Sequence, residues 1–358
     1  MRLSIRSRHG HGTRARLGVG VAMIAALLLG NVAIAVAAQD ATPLAEATPT
    51  VPDACQTETP AEERITVGYA GLSGEFPFVQ DVNNGLQRVA DCLNVELIIL
   101  DNEYDPQVAL TNANTLVTRG ADVAIEFQTD VGVAPAICNI FDAASIPVVA
   151  IDIPHDPCAV FFGADNLEAG KIGGRNLGRM AQERWGGDVD ALVLLELPQS
   201  GELPQQRMEG AALGVQEILP DLTDDMIIRV DGKGNLDDSR TVFQDVLTRL
   251  TDADHILVSA INDPSAVGAL RAAEAANRTD DIMIAGQNAT IEARTEICRD
   301  NPAFIGSVAY FPDRYGDYLV PLAIDLAAGT TPPEQVLIDH LWIDGTNIEE
   351  YYPGECSG

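Results

Sequence analysis

Short apolar segments alternate with segments of helical periodicity along most of the chain beyond residue 63. Runs such as RITVGYAG, VELIILD and ADVAIEF are typical of buried strands, because aliphatic residues fill them almost without interruption. Between these runs, FVQDVNNGLQRVADCL and PQVALTNANTLVTRG carry apolar residues at intervals of three and four, which predicts helices. The first half of the chain therefore reads as repeated strand–helix units.

The same alternation continues in the second half, where DALVLLEL, MIIRVD, HILVSAI and DIMIAGQ are the strand candidates. Strands that alternate with helices build parallel sheets covered by helices on both faces. Two such runs meet near residues 160–170. The pattern predicts an α/β fold with two doubly wound, Rossmann-like parallel-sheet lobes.

One junction in the second half places two small polar residues between a strand and a helix. HILVSAI is followed by Asn262 and Asp263, and Pro264 then begins a helical pattern. Asp263 is predicted to cap that helix, and Pro264 suits its first turn. Asn262 would then be free at the carboxyl end of a parallel strand, where open α/β sheets bind ligands.

The first 38 residues have the pattern of a secretory signal. Five arginines and no acid occupy residues 1–16, and an uncharged apolar stretch follows that ends in Ala35-Val36-Ala37. This arrangement predicts cleavage near Ala37 or Ala38. The alternative is an uncleaved anchor, because 22 apolar residues could just span a bilayer. Residues 39–63 are rich in Thr, Pro, Ala and Glu, which predicts a flexible spacer.

All six cysteines lie beyond this signal, and an even number in an exported chain indicates disulfides. In a doubly wound unit a helix begins close to the loop that leaves the next strand, so Cys138 and Cys158 can form a local bridge. A Cys298–Cys356 bond would fasten the C-terminal tail, and the remaining pair, Cys55–Cys92, would fasten the spacer. Fifteen pairings are possible, and free buried thiols are the alternative.

Charge and composition exclude some partners. Acidic residues outnumber basic ones 53 to 22, which gives a formal net charge of -31 at pH 7. This balance argues against a nucleic-acid partner, because a phosphate backbone requires Lys and Arg. The simplest consequence of the charge is colloidal solubility.

Three segments approach known catalytic or cofactor motifs and depart from each of them. ADNLEAGKIGG has Asp165 where a phosphate loop has its first Gly, and Ile172 where it needs Ser or Thr. GYAGLSGEF lacks the glycine spacing of a dinucleotide loop. VDGKGNLDD places Lys233 where a calcium loop needs an oxygen ligand. We therefore expect neither an enzyme nor a bound cofactor or metal.

Five segments occur in the order found in one known family: FPFVQDVNNGLQRVAD, IPVVAIDI, ADNLEAGKIGG, PQQRMEGAALGV and SAINDPSAVGALRA. On these segments the chain, from about Arg64 to Asp344, resembles the sugar-type periplasmic binding proteins of ABC importers, the ribose-binding protein group. The resemblance implies the type I fold, in which a three-strand hinge joins two lobes. The first lobe would comprise residues 64–163 plus 312–338 and the second 164–311 plus 339–350, with a tail at 351–358.

The resemblance also implies a function. We expect a monomeric extracytoplasmic receptor that captures a small polar ligand, a sugar or sugar-like polyol, between its lobes and delivers it to the permease of an ABC importer. The alternative is a ligand-sensing module that feeds a signalling receptor.

Several positions match ligand-binding residues of that family. Asp152 would accept hydrogen bonds from hydroxyls, Arg207 would donate as a fork, and Asn262 would donate and accept. Phe78 matches a ring that stacks on the sugar, and Phe76 lies in the same motif.

Other positions in the candidate site differ from the family pattern. Ile153 stands where the family has Arg, and Phe127 where it has Asn. Gln287 and Asn288 replace a ring and an Asp, and Tyr310 replaces a Gln. We keep Phe127, Gln287, Asn288 and Tyr310 as candidate ligand contacts, and these changes argue against ribose itself as the ligand.

Overall fold

The computed structural model describes residues 53–299, 301–331 and 333–357. The predicted signal at 1–38 and most of the predicted spacer lie outside these residues. The strands are β1 Ile65–Gly71, β2 Val95–Asp101, β3 Val123–Glu126, β4 Val148–Ile151, β5 Ala159–Ala164, β6 Ala191–Glu196, β7 Ile227–Asp231, β8 Ile256–Ala260, β9 Ile282–Asn288, β10 Phe304–Ala309, β11 Gln335–Ile338 and β12 Leu341–Ile343. The helices are α1 Ala54–Thr57, α2 Pro77–Cys92, α3 Pro106–Thr118, α4 Ala134–Ala144, α5 Asn166–Trp185, α6 Glu202–Ile218, α7 Leu236–Arg249, α8 Asp263–Ala276, α9 Ile291–Cys298, α10 Gly316–Ala327 and α11 Ile348–Tyr351.

The strands form two six-stranded sheets. Their orders are β11-β5-β4-β3-β1-β2 and β12-β10-β9-β8-β6-β7. Within each sheet, neighbouring strands run parallel, except for the pair β10–β12, which is antiparallel. Helices connect most of the successive strands within each sheet, as parallel pairing favours. The exception is the parallel pair β4 and β5, which is joined by the loop of residues 152–158. The predicted fold class, two doubly wound lobes joined by three connections, is confirmed.

The chain passes between the sheets at three places, which we call the hinge connections. The first follows β5 and leads into α5, which packs against β9 and β10 of the second sheet. The second follows β10 and leads to α10, which packs against α2 beside the first sheet. The third joins β11 in the first sheet to β12 in the second. The cleft between the lobes therefore lies next to three chain crossings.

Helices α5 and α6 pack unusually closely because glycines line their contact. A Cβ on Gly170 would lie 2.0 Å from the carbonyl oxygen of Arg207, and one on Gly210 would lie 2.2 Å from that of Leu167. Gly174 on α5 faces α6 in the same way. Since the obstacles are backbone atoms, a side chain at these positions would push the helices apart. The contact fixes the backbone that carries Arg207.

Three disulfides join Cys55–Cys92, Cys138–Cys158 and Cys298–Cys356. The first fastens α1, in which Ala54 is buried and its backbone N–H donates to Oδ1 of Asp317 at 3.0 Å. Residues 53–57 thus differ from the flexible spacer that composition predicts, because a bond and a buried residue hold them. No helix in the described part of the chain has both the length and the apolar character needed to cross a bilayer.

Candidate functional site

A cleft opens between the carboxyl-terminal ends of the two sheets and encloses about 770 Å³, counting its open mouth. The predicted site residues that line it are Phe76, Phe78, Phe127, Asp152, Arg207, Asn262 and Asn288. Phe127 and Asp152 directly follow β3 and β4, and Asn288 ends β9. In parallel sheets the strand ends gather at one edge. The topology therefore brings side chains from distant parts of the chain to one place.

Asp152 lies where the first sheet meets the cleft. Its backbone is left-handed, with φ of 58°, and its Oδ1 accepts a hydrogen bond from the N–H of Ala164 at 3.3 Å. Burial raises the pKa of Asp152 to about 6, although the charge of Arg207 and the bond from Ala164 oppose that rise. The group is therefore mainly an acceptor-only carboxylate at neutral pH.

Arg207 projects into the same cleft from α6 and is buried. Its Nε and Nη2 donate to Oδ1 of Asn166 at 3.1 and 2.8 Å, and Nη1 donates to the carbonyl of Ile261 at 2.6 Å. A guanidinium has five N–H groups, so two remain free for a ligand. Asn166 begins α5 directly after the first hinge connection, which ties Arg207 to that connection.

Asn262, rather than Asp263, caps α8, so the predicted cap is wrong. The backbone of Asn262 is extended, and its Oδ1 accepts from the N–H of Ser265 at 3.0 Å. Its Nδ2 donates to the carbonyl of Gly234 at 2.9 Å. One N–H and one lone pair of this amide remain for a ligand.

Asp263 is instead fully buried beneath the cap, as the first residue of α8. Its carboxylate accepts hydrogen bonds from the hydroxyl of Ser307 at 2.6 Å and the N–H of Thr290 at 2.7 Å. Burial raises its pKa to about 7, against those hydrogen bonds. Asp263 therefore holds the chain beside the cleft and is absent from the cleft's lining.

Gln287 and Tyr310, both predicted ligand contacts, are buried behind the cleft and do not line it. The hydroxyl of Tyr310 donates to Oε1 of Gln287 at 3.0 Å, and Nε2 of Gln287 donates to the carbonyl of Ala169 at 3.3 Å. The guanidinium carbon of Arg207 lies 4.9 Å from the centre of the Tyr310 ring. That ring lies 4.5 Å from the ring of His340, between centroids. Tyr310 lies in the second hinge connection and His340 in the third. These ring contacts therefore link Arg207 to both connections.

Tyr104 is a cleft residue that the sequence patterns did not reveal. Its ring centre lies 5.4 Å from that of Phe76, and its hydroxyl donates to the carbonyl of Lys233 at 3.0 Å. Tyr104 follows the first-sheet strand β2, whereas Lys233 follows the second-sheet strand β7. Tyr104 lies just after the carboxyl end of a parallel strand, and this position could have marked it as a candidate cleft residue.

A cleft with both polar and apolar side chains between two doubly wound lobes is the architecture of a two-lobed binding protein. The sequence profile described as "Periplasmic binding protein domain" matches residues 67–331. The chain belongs to this family of binding proteins.

Comparisons with individual proteins agree with this placement. The ribose import binding protein of Escherichia coli is 27% identical over 262 residues, which cover 72% of this chain and 82% of the relative. A solute binding protein of an ABC transporter from Mycobacterium smegmatis, solved with glycerol, aligns with a TM-score of 0.70 at 23% identity and covers 80% of this chain and 96% of its own. One from Bacillus halodurans, solved with myo-inositol, has a TM-score of 0.66 at 21% identity, with coverages of 82% and 99%. These likenesses support the fold described above.

Proposed function

We propose that this protein is an exported receptor that captures a small carbohydrate or sugar-like polyol and delivers it to an ABC importer. The observation that carries the proposal is the convergence of Asp152, Arg207 and Asn262 on one cleft from two sheets. Family membership supports it, and so do relatives that are named for ribose import. The predicted signal at residues 1–38 would direct export.

Each of the three groups keeps hydrogen-bonding capacity suited to hydroxyls. Asp152 accepts, Arg207 donates two N–H groups, and Asn262 does both. Phe76 and Phe78 offer rings to the C–H faces of a sugar. In a closed site a polar group without a partner loses its hydration, so each of these side chains selects a ligand group that pairs with it.

Binding would be coupled to closure of the lobes. The first lobe, residues 64–163 plus 312–338, would rotate against the second, 164–311 plus 339–350, about the hinge connections. A ligand held by Asp152 from one side and by Arg207 from the other binds the closed form better, and so shifts the population toward it.

A thermal-shift screen over monosaccharides, polyols and nucleosides, followed by calorimetry, tests the proposal. A ligand at about 100 times its dissociation constant adds roughly 2.7 kcal/mol to the free energy of unfolding. We expect a monosaccharide or polyol to raise the melting temperature, and Asn262→Ala to weaken its binding by about 1–3 kcal/mol. A nucleoside as the only ligand, or an unchanged affinity in Asn262→Ala, would contradict the proposal.

A further inference from the structure

The two sides of the cleft differ in polarity. We call the side formed by the first lobe the first wall and the opposite side the second wall. The second wall presents hydrogen-bonding side chains on several elements: Ser200, Arg207, Asn262, Asn288, Thr290 and Glu292. It also carries apolar side chains, namely Leu197, Pro204, Ile261 and Pro264, so it is mixed, with the larger share of the polar groups. The first wall presents mainly aromatic and aliphatic surface: Leu72, Phe76, Phe78, Val79, Phe127 and Ile153. A ligand therefore meets two chemically different surfaces.

The polar groups of the first wall are few. They are Tyr104, Thr129 and Asp152. The hydroxyl of Tyr104 is already bonded to the carbonyl of Lys233, and Oδ1 of Asp152 accepts from Ala164. Beside Asp152 stands Ile153, which is 4% exposed and has no polar side-chain atom. A hydroxyl that faces Phe127 and Ile153, beyond the reach of the free oxygen of Asp152, would lose its water without gaining a partner.

The hydrogen-bonding groups left free on the second wall can pair several neighbouring hydroxyls, and Oε2 of Glu292 is among them, buried without a partner in the described residues. Arg207 has two N–H groups left after its bonds to Asn166 and Ile261, and Asn262 has one donor and one acceptor left. Together with the carboxylate of Asp152, these groups form one patch for neighbouring hydroxyls. The rings of Phe78 and Phe127, whose centres lie 6.0 Å apart, cover part of the opposite side with carbon.

Building on the proposed sugar-receptor function, we infer that the ligand is a deoxy sugar. Its hydroxyls contact Asp152, Arg207 and Asn262, and its deoxy carbon or methyl group faces the apolar surface of Phe127 and Ile153. Replacing a hydroxyl by hydrogen at that place removes an unpaired polar group and buries apolar area, and both effects favour binding. The polarity of the two walls thus selects against a fully hydroxylated sugar.

Isothermal titration calorimetry with matched sugars tests this inference on the full, disulfide-bonded chain. The pairs are L-fucose and L-galactose, D-fucose and D-galactose, L-rhamnose and L-mannose, and 2-deoxy-D-ribose and D-ribose. Each pair differs by one hydroxyl. We expect the tightest-binding sugar of the eight to be a deoxy sugar that binds about tenfold more tightly than its partner, which corresponds to about 1.4 kcal/mol.

A variant of the first wall adds an independent readout. Ile153→Thr supplies a hydroxyl beside Asp152, so the preference for the deoxy member should fall at least threefold. Ile140→Thr, a partly buried position on α4 that packs away from the cleft, is the control and should keep the wild-type preference. If Ile153→Thr does not fold, the ratio measured with the wild-type chain still decides.

The failures of the inference and of the proposed function can be distinguished. If the tightest binder is fully hydroxylated, or equals its deoxy partner, the inference is overturned while the receptor function stands. If none of the eight sugars binds but a fully hydroxylated monosaccharide or a polyol raises the melting temperature, the inference is likewise overturned and the receptor function stands. If no monosaccharide or polyol binds, both are overturned.

Discussion

The hydroxyl of Tyr104 donates a hydrogen bond to the carbonyl of Lys233, across the cleft, at 3.0 Å. Both residues have left-handed backbones, with φ of 57° and 53°. Two loops from different sheets thus meet in a single neutral hydrogen bond beside the ligand space. Because the bond joins the two lobes, a movement that opened the cleft would have to break it.

Tyr104→Phe should therefore speed ligand release. The variant keeps the ring beside Phe76 and loses the bond that joins the loops, which is worth about 0.5–1.5 kcal/mol. We expect the dissociation rate to rise about two- to tenfold with little change in the association rate. Stopped-flow fluorescence with the sugar found by screening measures both rates. Tyr351→Phe, in α11, is the control, and a wild-type dissociation rate in Tyr104→Phe would reject the role of this bond.

Ligand affinity should depend on pH through Asp152. Its pKa is raised to about 6, so the carboxylate prevails above pH 6 and the protonated form below it. The ionised form accepts hydroxyl hydrogen bonds more strongly, so affinity should fall as the pH decreases from 7.5 to 5. Calorimetry at both pH values measures the change. Asp152→Asn should weaken binding at pH 7.5 and make the affinity nearly independent of pH. The surface variant Asp142→Asn is the control and should keep the wild-type dependence of affinity on pH. If affinity in Asp152→Asn still falls as steeply with decreasing pH, another group is responsible.

Tyr310 should affect binding although it does not line the cleft. Tyr310→Leu removes the ring beneath the Arg207 guanidinium, a contact worth about 0.5–2 kcal/mol, and leaves the oxygen of Gln287 unpaired. We expect a several-fold loss of affinity, measured by calorimetry at equal folded fraction. Tyr310→Phe keeps the ring and should lose less. Equal losses in the two variants would mean that the hydroxyl, rather than the ring, supports Arg207.

The Cys298–Cys356 bond should stabilise the chain by closing a loop between residues 58 positions apart. The double variant Cys298→Ser and Cys356→Ser should lower the free energy of unfolding by about 2–4 kcal/mol, chiefly because its unfolded chain is less restricted. Urea unfolding measures the loss. Non-reducing peptide mapping of the wild type should recover Cys298 linked to Cys356, and a peptide linking Cys92 to Cys298 would refute this pairing.

The alternation of strands and helices was readable because uninterrupted aliphatic runs can only be buried between layers of helices. Helix α5 was harder to predict, since glycines disfavour a helix in isolation. Gly170 and Gly174 are explained only by α6, whose backbone lies against them. The low helix propensity of these glycines is outweighed by the packing of α5 against α6. That contact joins distant segments, so the sequence pattern of α5 alone does not predict it.

The site was only partly predictable for similar reasons. Gln287 and Asn288 are adjacent on β9, and adjacent side chains of a strand point to opposite faces. Asn288 consequently lines the cleft while Gln287 is buried behind it. Tyr104 was missed because its partner, Lys233, is 129 residues away in the other lobe. Motif matching finds positions near a cleft, whereas the direction of a side chain depends on the strand that carries it.

For protein engineering, the glycine contact between α5 and α6 separates the parts of the receptor that can be redesigned from those that cannot. Gly170 and Gly210 leave no room for a larger residue, so libraries that vary them would return mostly misfolded chains. Phe76, Phe127 and Ile153 of the first wall lie outside this contact, so substitutions of similar size there leave the backbone that carries Arg207 in place. A biosensor for a different sugar is best built by randomising that one surface on an unchanged second lobe.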